Sequence, residues 1–475
     1  MNNPLDLASS LLAAICSIPI PLLLAGVTVL CAVACVAGYL LLHHIAPKPR
    51  LPFPSEKTYQ TSAPASGQGE QGTTIVTRQL PCWYDKWLAE RHLAEAAAKR
   101  SDTGSSSSSD NSRNINSIAY SLSAIEPAEV GLTVVVPAYN EALRILPALE
   151  EMVDYCDKRF GRPKPALEQT ATTEQGTDKE QAYRPTMPKR KKARSAAVMY
   201  DFPANRKHSS NGNGNGSGNG DDNGNAADDE AQLPSGYEIL VINDASSDNT
   251  AQVALDFARE RGLHDVLRVV TLAKNRGKGG GVTHGLRHAR GAYVVFADAD
   301  GASRFADLDK LIEGCDVVID ASDRGVAIGS RAHLVGSAAV VQRSALRNFL
   351  MKSFHFVLTI LTPPATSRIG DTQCGFKLFS RAALPHIVPY MHTEGWIFDI
   401  EMLMLAESAP ATPVVAHDGS FIGTSAGIKV AEVPVGWHEV DGSKMNLVQD
   451  SIRMAIGLTV LRASWMLGVY RRRLT

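Results

Sequence analysis

The sequence predicts an α/β fold with a mostly parallel sheet, preceded by one transmembrane helix. Three observations carry that prediction. Short β-branched runs alternate with helical text four times between residues 132 and 300, the pattern of strands joined by crossover helices. The strands end in polar or acidic residues, and in open sheets of this kind ligands bind beyond the carboxyl ends of the strands. Upstream of all this, no charged residue occurs from Leu7 to Leu42.

The elements follow in chain order. Ile20 to Leu42 is long enough to cross a bilayer and lacks the basic leader of a cleaved signal, so residues 1–44 are expected to be an uncleaved anchor. Lys48, Arg50 and Lys57 then place the bulk of the chain on the cytosolic side. Residues 45–130 read as linker, mostly disordered, Pro-rich at first and later rich in Gly, Ser and Gln. Within it, Trp83 to Arg100 has helical spacing, with Trp83, Trp87 and Leu88 on one face that lies on the membrane or on the domain that follows.

The ordered domain is expected over 131–445. Its first strand is Leu132-Thr-Val-Val-Val-Pro-Ala-Tyr-Asn-Glu141, followed by a helix carrying Ile145, Leu149 and Met152. Low-complexity text fills 161–235, where runs such as Asn211-Gly-Asn-Gly-Asn-Gly-Ser-Gly-Asn-Gly220 cannot bury a core. This insertion falls in a helix-to-strand connection, at the edge opposite the strand carboxyl ends. Tyr237 to Asp244 is the second strand, Thr250 to Arg261 a helix, and Val266 to Leu272 the third strand. A basic glycine loop, Lys274-Asn-Arg-Gly-Lys-Gly-Gly-Gly281, opens the next helix, and the strand Tyr293 to Ala297 follows. At the end of the chain, 446–475 has helical apolar spacing through Ile452, Ile456, Thr459 and Ala463. Arg453 and Arg462 interrupt it, so it reads as an amphipathic helix that packs on the domain or lies on a lipid surface.

Composition narrows the chemistry. The chain carries 48 basic and 49 acidic residues, which gives no global reason to expect nucleic acid as a partner. Its seven cysteines have neither zinc-site nor disulfide-framework spacing, in keeping with reduced thiols. The informative residues are at the strand ends. Asp298 and Asp300 stand two apart at a strand terminus, on one side of the chain, and two such carboxylates call for a cation. Oxygen ligands suit Mg²⁺ or Mn²⁺, which often bridges to a substrate diphosphate. Asp244, at the end of the second strand, is placed to accept from a base or sugar. The glycine loop brings backbone N–H groups, Arg276 and Lys278 toward a diphosphate, although it matches neither the P-loop nor the dinucleotide spacing.

Several blocks, taken together, resemble a known family. Val136-Pro-Ala-Tyr-Asn-Glu141, residues 243–248 (Asn-Asp-Ala-Ser-Ser-Asp) and Asp298-Ala-Asp300 resemble the nucleotide-sugar core of inverting family-2 glycosyltransferases. Lys274 to Gly280, Ala297 to Ala302, Gly329-Ser-Arg-Ala-His-Leu334, Asp371-Thr-Gln-Cys-Gly-Phe-Lys-Leu-Phe379, Trp396-Ile-Phe-Asp-Ile-Glu401 and Glu439-Val-Asp-Gly-Ser-Lys444 resemble the dolichyl-phosphate β-glucosyltransferases. Family members often have Asp-Asp-Gly-Ser where this chain has Asn243-Asp-Ala-Ser246, and the 161–235 insertion is unusual.

The resemblance implies a GT-A-type, Rossmann-like nucleotide-sugar domain, single-pass in the endoplasmic reticulum membrane. It would transfer glucose from UDP-glucose to dolichyl phosphate with inversion, supplying protein N-glycosylation. In that reading Pro137, Tyr139, Glu141, Asp244, Arg276, Lys278 and Asp298 bind the nucleotide sugar, and Asp298 and Asp300 hold Mg²⁺ or Mn²⁺. Arg331, Arg343, Arg347 and Lys444 meet the acceptor phosphate, and Asp371, Arg331 and Glu401 are catalytic. A dolichyl-phosphate mannosyltransferase using a guanine nucleotide is the alternative within the class. An inactive membrane-anchored nucleotide-binding scaffold is the alternative outside it.

Overall fold

The computed structural model describes residues 19–64, 73–101, 125–163, 198–199, 233–334, 353, 356–415, 421–438, 440 and 447–472. The chain divides into two compact units, Pro49–Met454 and a second made of Met1–Lys48 with Ala455–Thr475.

The second unit begins with helix α1, Ile20–Ile45. Its segment Leu24–Ile45 has a mean hydropathy of 2.3 and is long and apolar enough to cross a membrane. Near the other end of the chain, the Tyr470 hydroxyl donates to the Pro47 carbonyl at 2.6 Å.

The large unit is built on a ten-stranded sheet. Its strands in chain order are β1 (Thr58–Pro64), β2 (Thr73–Gln79), β3 (Val130–Ala138), β4 (Val198–Met199), β5 (Tyr237–Asn243), β6 (Leu267–Thr271), β7 (Gly291–Ala297), β8 (Val326–Ser330), β9 (Phe376–Ser380) and β12 (Val430–Pro434). Strands β10 (Thr412–Val415) and β11 (Phe421–Ser425) form a separate hairpin sheet. The order across the large sheet is β2-β1-β6-β5-β3-β7-β9-β8-β12-β4. The centre, β6-β5-β3-β7, is parallel throughout. Strand β9 then runs antiparallel between β7 and β8, whereas β8 and β12 are again parallel. The parallel centre is nearly continuous Val, Ile and Leu because helices cover both faces. Those helices are α3 (Ile145–Arg159), α4 (Thr250–Glu260), α5 (Gly277–His288) and α6 (Leu308–Val318).

Residues 45–130 differ from the linker that their composition suggested. Strands β1 and β2 pair with each other, and β1 adds antiparallel to β6, covering one sheet edge. Helix α2, Trp83–Ser101, buries Trp83 and Trp87, and the Trp83 indole Nε1 donates to the Leu286 carbonyl at 2.7 Å. Its aromatic face therefore packs on the sheet domain. Polar, Pro-rich text misled because these residues add an edge to a sheet that already has its core and need little apolar burial of their own.

The insertion's ends are joined at the domain. Gly236 donates to the Phe160 carbonyl at 3.0 Å, and Gly131 donates to the Gly236 carbonyl at 2.9 Å. Gly236 has φ +91°, and an added Cβ would strike Pro163. Within 161–235, Val198–Met199 pairs antiparallel with β12, while 164–197 and 200–232 lie outside the described residues.

Helix α7 is Phe398–Glu407 and helix α8 is Leu447–Met466. The expected helix over 446–475 is present as α8, but its buried stripe is Met454, Leu458 and Leu461, whereas Ile452 and Ile456 are exposed.

Candidate active site

The site is assembled where β3, β5 and β7 end and where the 371–377 segment returns beside them. Asp298 and Asp300 follow β7 directly. The Lys278 ammonium lies 2.6 Å from Asp298 Oδ1. Asp300 Oδ1 accepts from the Ala302 N–H at 3.1 Å. Burial, and then the neighbouring Asp298 carboxylate, push Asp300 above the ordinary carboxylate range. Burial would lower Lys278, but Asp298, Asp399 and Asp300 outweigh it and hold its pKa up. A partly buried acid pair short of positive charge is a place where a cation would be stabilised.

The segment from Asp371 to Lys377 ties the site together. Arg331 donates to Asp371 three times: from its backbone N–H at 3.0 Å, from Nε at 2.7 Å and from Nη2 at 2.9 Å. Burial works against the Asp371 carboxylate, but the guanidinium prevails and holds it below the ordinary range. The same pairing raises Arg331 against the effect of burial. The Arg331 guanidinium also lies 5.7 Å from the Trp437 ring centroid. Four residues on, Gly375 packs against Asp298 so closely that a Cβ there would collide with the carboxylate. Two further on, the buried Lys377 ammonium donates to the Cys374 carbonyl at 2.6 Å and pairs with Asp399. Burial raises Asp399, with Lys377 and then Lys278 opposing. Positions 371, 375 and 377 therefore reach Arg331, Asp298 and Asp399 in turn.

The loops after β3 and β5 are laced to each other. Asn140, with φ +53°, accepts from the Ser247 N–H at 2.8 Å and donates its own N–H to Ser246 Oγ at 3.0 Å. Glu141 donates its N–H to Thr250 Oγ1 at 2.8 Å and pairs with Arg144 at 2.6 Å. Pro137 lies within β3, and Tyr139 is exposed at the end of that strand. Asn243 accepts from the Ser246 N–H at 3.2 Å and so shapes the turn.

Three expected contacts turn out otherwise. Asp244 presents no open carboxylate: its oxygens accept the Arg276 and Gly277 N–H groups at 2.7 and 2.8 Å and cap α5. Burial pushes it up to about 6, against the pull of those two N–H groups. Arg276 is directed to Glu394, at 3.0 Å from Nε and 2.5 Å from Nη2, instead of standing open for a diphosphate. Glu401, expected to be catalytic, presents no open carboxylate. It is wholly buried, and its carboxylate accepts from the N–H groups of His392 and Thr393 and from Thr393 Oγ1. A carboxylate out of water needs such donors, and Glu401 uses them to fix the loop before α7. Arg343, Arg347 and Lys444 lie outside the described residues.

Sequence reasoning missed Lys377, Glu394, Glu432 and Trp437. Glu432, on β12, accepts from the Gly370 and Asp371 N–H groups, both at 3.0 Å, and so positions Asp371. A signal existed for two of them: Lys377 interrupts Phe-Lys-Leu-Phe, and Glu432 interrupts Val-Ala-Glu-Val, and a lone charge in an apolar strand needs a partner. Glu394 carried no such signal.

A family model described as Glycosyl transferase family 2 matches residues 230–384. "Dolichyl-phosphate beta-glucosyltransferase" of Saccharomyces cerevisiae is 44% identical over 245 residues, 50% of this chain and 67% of that one. "Dolichyl-phosphate beta-glucosyltransferase ALG5C" of Trichomonas vaginalis is 31% identical over 344 residues, 72% of this chain and 74% of that one. The chain belongs to the dolichyl-phosphate β-glucosyltransferase family. It aligns with about two thirds of the length of relatives such as the human protein, which is 37% identical with 66% covered. Among solved structures, mannosyl-3-phosphoglycerate synthase from Rubrobacter xylanophilus shares 16% identity, with a TM-score of 0.33 over 72% of this chain and 77% of that one. Glucosyl-3-phosphoglycerate synthase from Mycobacterium tuberculosis, solved with Mn²⁺, UDP-glucose and phosphoglyceric acid, shares 14%, with a TM-score of 0.35 over 70% and 80%.

Proposed function

We propose that the chain transfers glucose from UDP-glucose to the phosphate of dolichol, with inversion, at the cytosolic face of the endoplasmic reticulum membrane, held there by α1. The observation that carries the reading is the single segment, Asp371 to Lys377, that joins the Asp298 carboxylate to the Arg331 fork within a chain of this family.

The acceptor phosphate is already an anionic nucleophile, so the site's work is alignment and charge compensation more than proton removal. An oxygen of that phosphate bonds to the anomeric carbon as the bond from that carbon to UDP breaks, and UDP departs with the electron pair. Asp371 stays ionised, with both oxygens on Arg331, so it is a positioning residue and not a base. Arg331 keeps part of its side chain exposed and is the residue we assign to the acceptor phosphate. Lys278 supplies a point charge beside the donor diphosphate.

Asp298 and Asp300 fit a hard divalent ion, because burial and the neighbouring Asp298 charge already raise Asp300. Among the described residues no group of three or more His, Cys, Asp or Glu gathers as metal ligands, so the diphosphate would complete the oxygen set. Mg²⁺ or Mn²⁺ held there would stabilise charge on the departing diphosphate. The test is transfer of labelled sugar from a panel of nucleotide sugars to dolichyl phosphate by the full chain in membranes. UDP-glucose is expected to be the preferred donor. Preference for GDP-mannose would replace this reading with the mannosyltransferase one, and no transfer from any donor would favour the inactive scaffold.

A further inference from the structure

We infer that residues 50–57, which follow α1 in the chain, are a working part of the donor site, with Glu56 as a positioning residue for nucleotide-diphosphate binding. The inference rests on the function proposed above. It begins with a carboxylate in an unexpected place. Glu56 lies in a short 3-10 turn, Pro54–Lys57, and is 1% exposed. A buried carboxylate is tolerated only when donors surround it. One oxygen closes the local turn by accepting the Phe53 N–H at 2.9 Å. The other accepts the Ala273 N–H at 2.8 Å, at the root of the basic glycine loop. The carboxylate also lies 3.9 Å from Arg276 Nη1, a buried N–H group with no hydrogen-bond partner. It thus places a carboxylate charge beside the one arm of Arg276 that makes no hydrogen bond.

Other contacts of the segment converge on the same loop. The Glu56 carbonyl accepts from His284 Nε2 at 2.9 Å, in the second turn of α5. The Arg50 carbonyl accepts from Arg276 Nη2 at 3.2 Å, and the Arg50 guanidinium lies 3.4 Å from Glu394. Asp244 holds the far end of the loop through the Arg276 and Gly277 N–H groups. The loop is therefore clamped at both ends by carboxylates, Glu56 at residue 273 and Asp244 at residues 276 and 277. Lys278 follows immediately, with its ammonium on Asp298. A loop released at residue 273 is held by Asp244 alone, so its hold on Lys278 and on a donor diphosphate is expected to weaken while the Arg331 side of the site is left untouched.

The test uses the full chain in detergent or nanodiscs and reads binding of UDP with Mn²⁺ by calorimetry beside steady-state transfer. Glu56→Gln keeps the shape but removes the charge and turns one acceptor into a donor. It is expected to weaken UDP binding and raise KM for UDP-glucose about tenfold, the scale of one charge-assisted hydrogen bond. Its kcat and its KM for dolichyl phosphate should stay within about twofold. Glu56→Asp, which keeps the charge, should fall between, and serves in its place if Glu56→Gln does not fold.

Unchanged UDP affinity in a folded variant overturns the inference. So does a fall in melting temperature and kcat together with a rise in both KM values, which marks general loosening. A wild type that binds UDP with Mn²⁺ but transfers no glucose sinks the proposed function alone. A wild type that transfers glucose beside a Glu56→Gln variant that binds UDP normally sinks only the role of Glu56.

Discussion

The Lys278–Asp298 and Arg331–Asp371 pairs stand in one site and are built on different plans. Lys278 meets Asp298 through a single contact, and both side chains are partly exposed. Arg331 meets Asp371 through two guanidinium nitrogens and its own backbone N–H, and Glu432 holds the backbone of Asp371 in turn. The first pair is two point charges that can trade partners cheaply when an anion or cation arrives. The second is a planar fork whose direction is fixed before any ligand binds. On the function proposed above, the Lys278 side, assigned to the donor, adapts through charge, and the Arg331 side, assigned to the acceptor, works through geometry.

Substitutions can break that contrast, the largest effect first. Asp300→Ala is expected to lower transfer by about 10³-fold, roughly 4 kcal/mol of barrier, without unfolding the chain. Loss of Mn²⁺ binding, with an unchanged melting temperature, is the companion measurement. Retained activity in excess chelator would remove the metal from the account. Arg331→Lys keeps the charge but loses the fork, and about a hundredfold loss in kcat/KM for the acceptor is expected. If both kcat and KM for dolichyl phosphate hold steady, Arg331 only supports the fold. Lys278→Arg should cost less than about tenfold, because a point charge tolerates a change of shape. Equal sensitivity of residues 278 and 331 to their Lys/Arg exchanges would erase the distinction between the two halves.

The two halves also differ in how much could be read from the sequence. The parallel centre was legible because β3, β5 and β7 are apolar runs that end in polar residues, and Asp298 and Asp300 sit at such an end. The Asp371 block stood out only through family resemblance. Its placement depends on β9 inserting antiparallel between β7 and β8, which no local pattern encodes. Asp244 and Glu401 were readable as acids at element ends, but not as buried caps, because burial is decided by what packs over them. Glu56 and the β1–β2 hairpin were hidden for the opposite reason. Their text is polar and Pro-rich, and their order comes from the sheet edge and glycine loop that they join.

The Gly236–Phe160 hydrogen bond has a consequence for what the chain can carry. The residues flanking the long insertion meet at one point, so the domain fixes where that segment leaves and returns, and Val198–Met199 pairs with β12 in between. For a segment whose ends are joined this way, each doubling of loop length is expected to cost only about 0.6 kcal/mol in closure entropy. Removing residues 165–232 is accordingly expected to leave transfer within about tenfold of the full chain and to change the melting temperature little, as assay and calorimetry would show. By the same reasoning, a fluorescent or affinity module spliced in at this point would ride on the enzyme as a passenger, since the doorway it enters by is already shut.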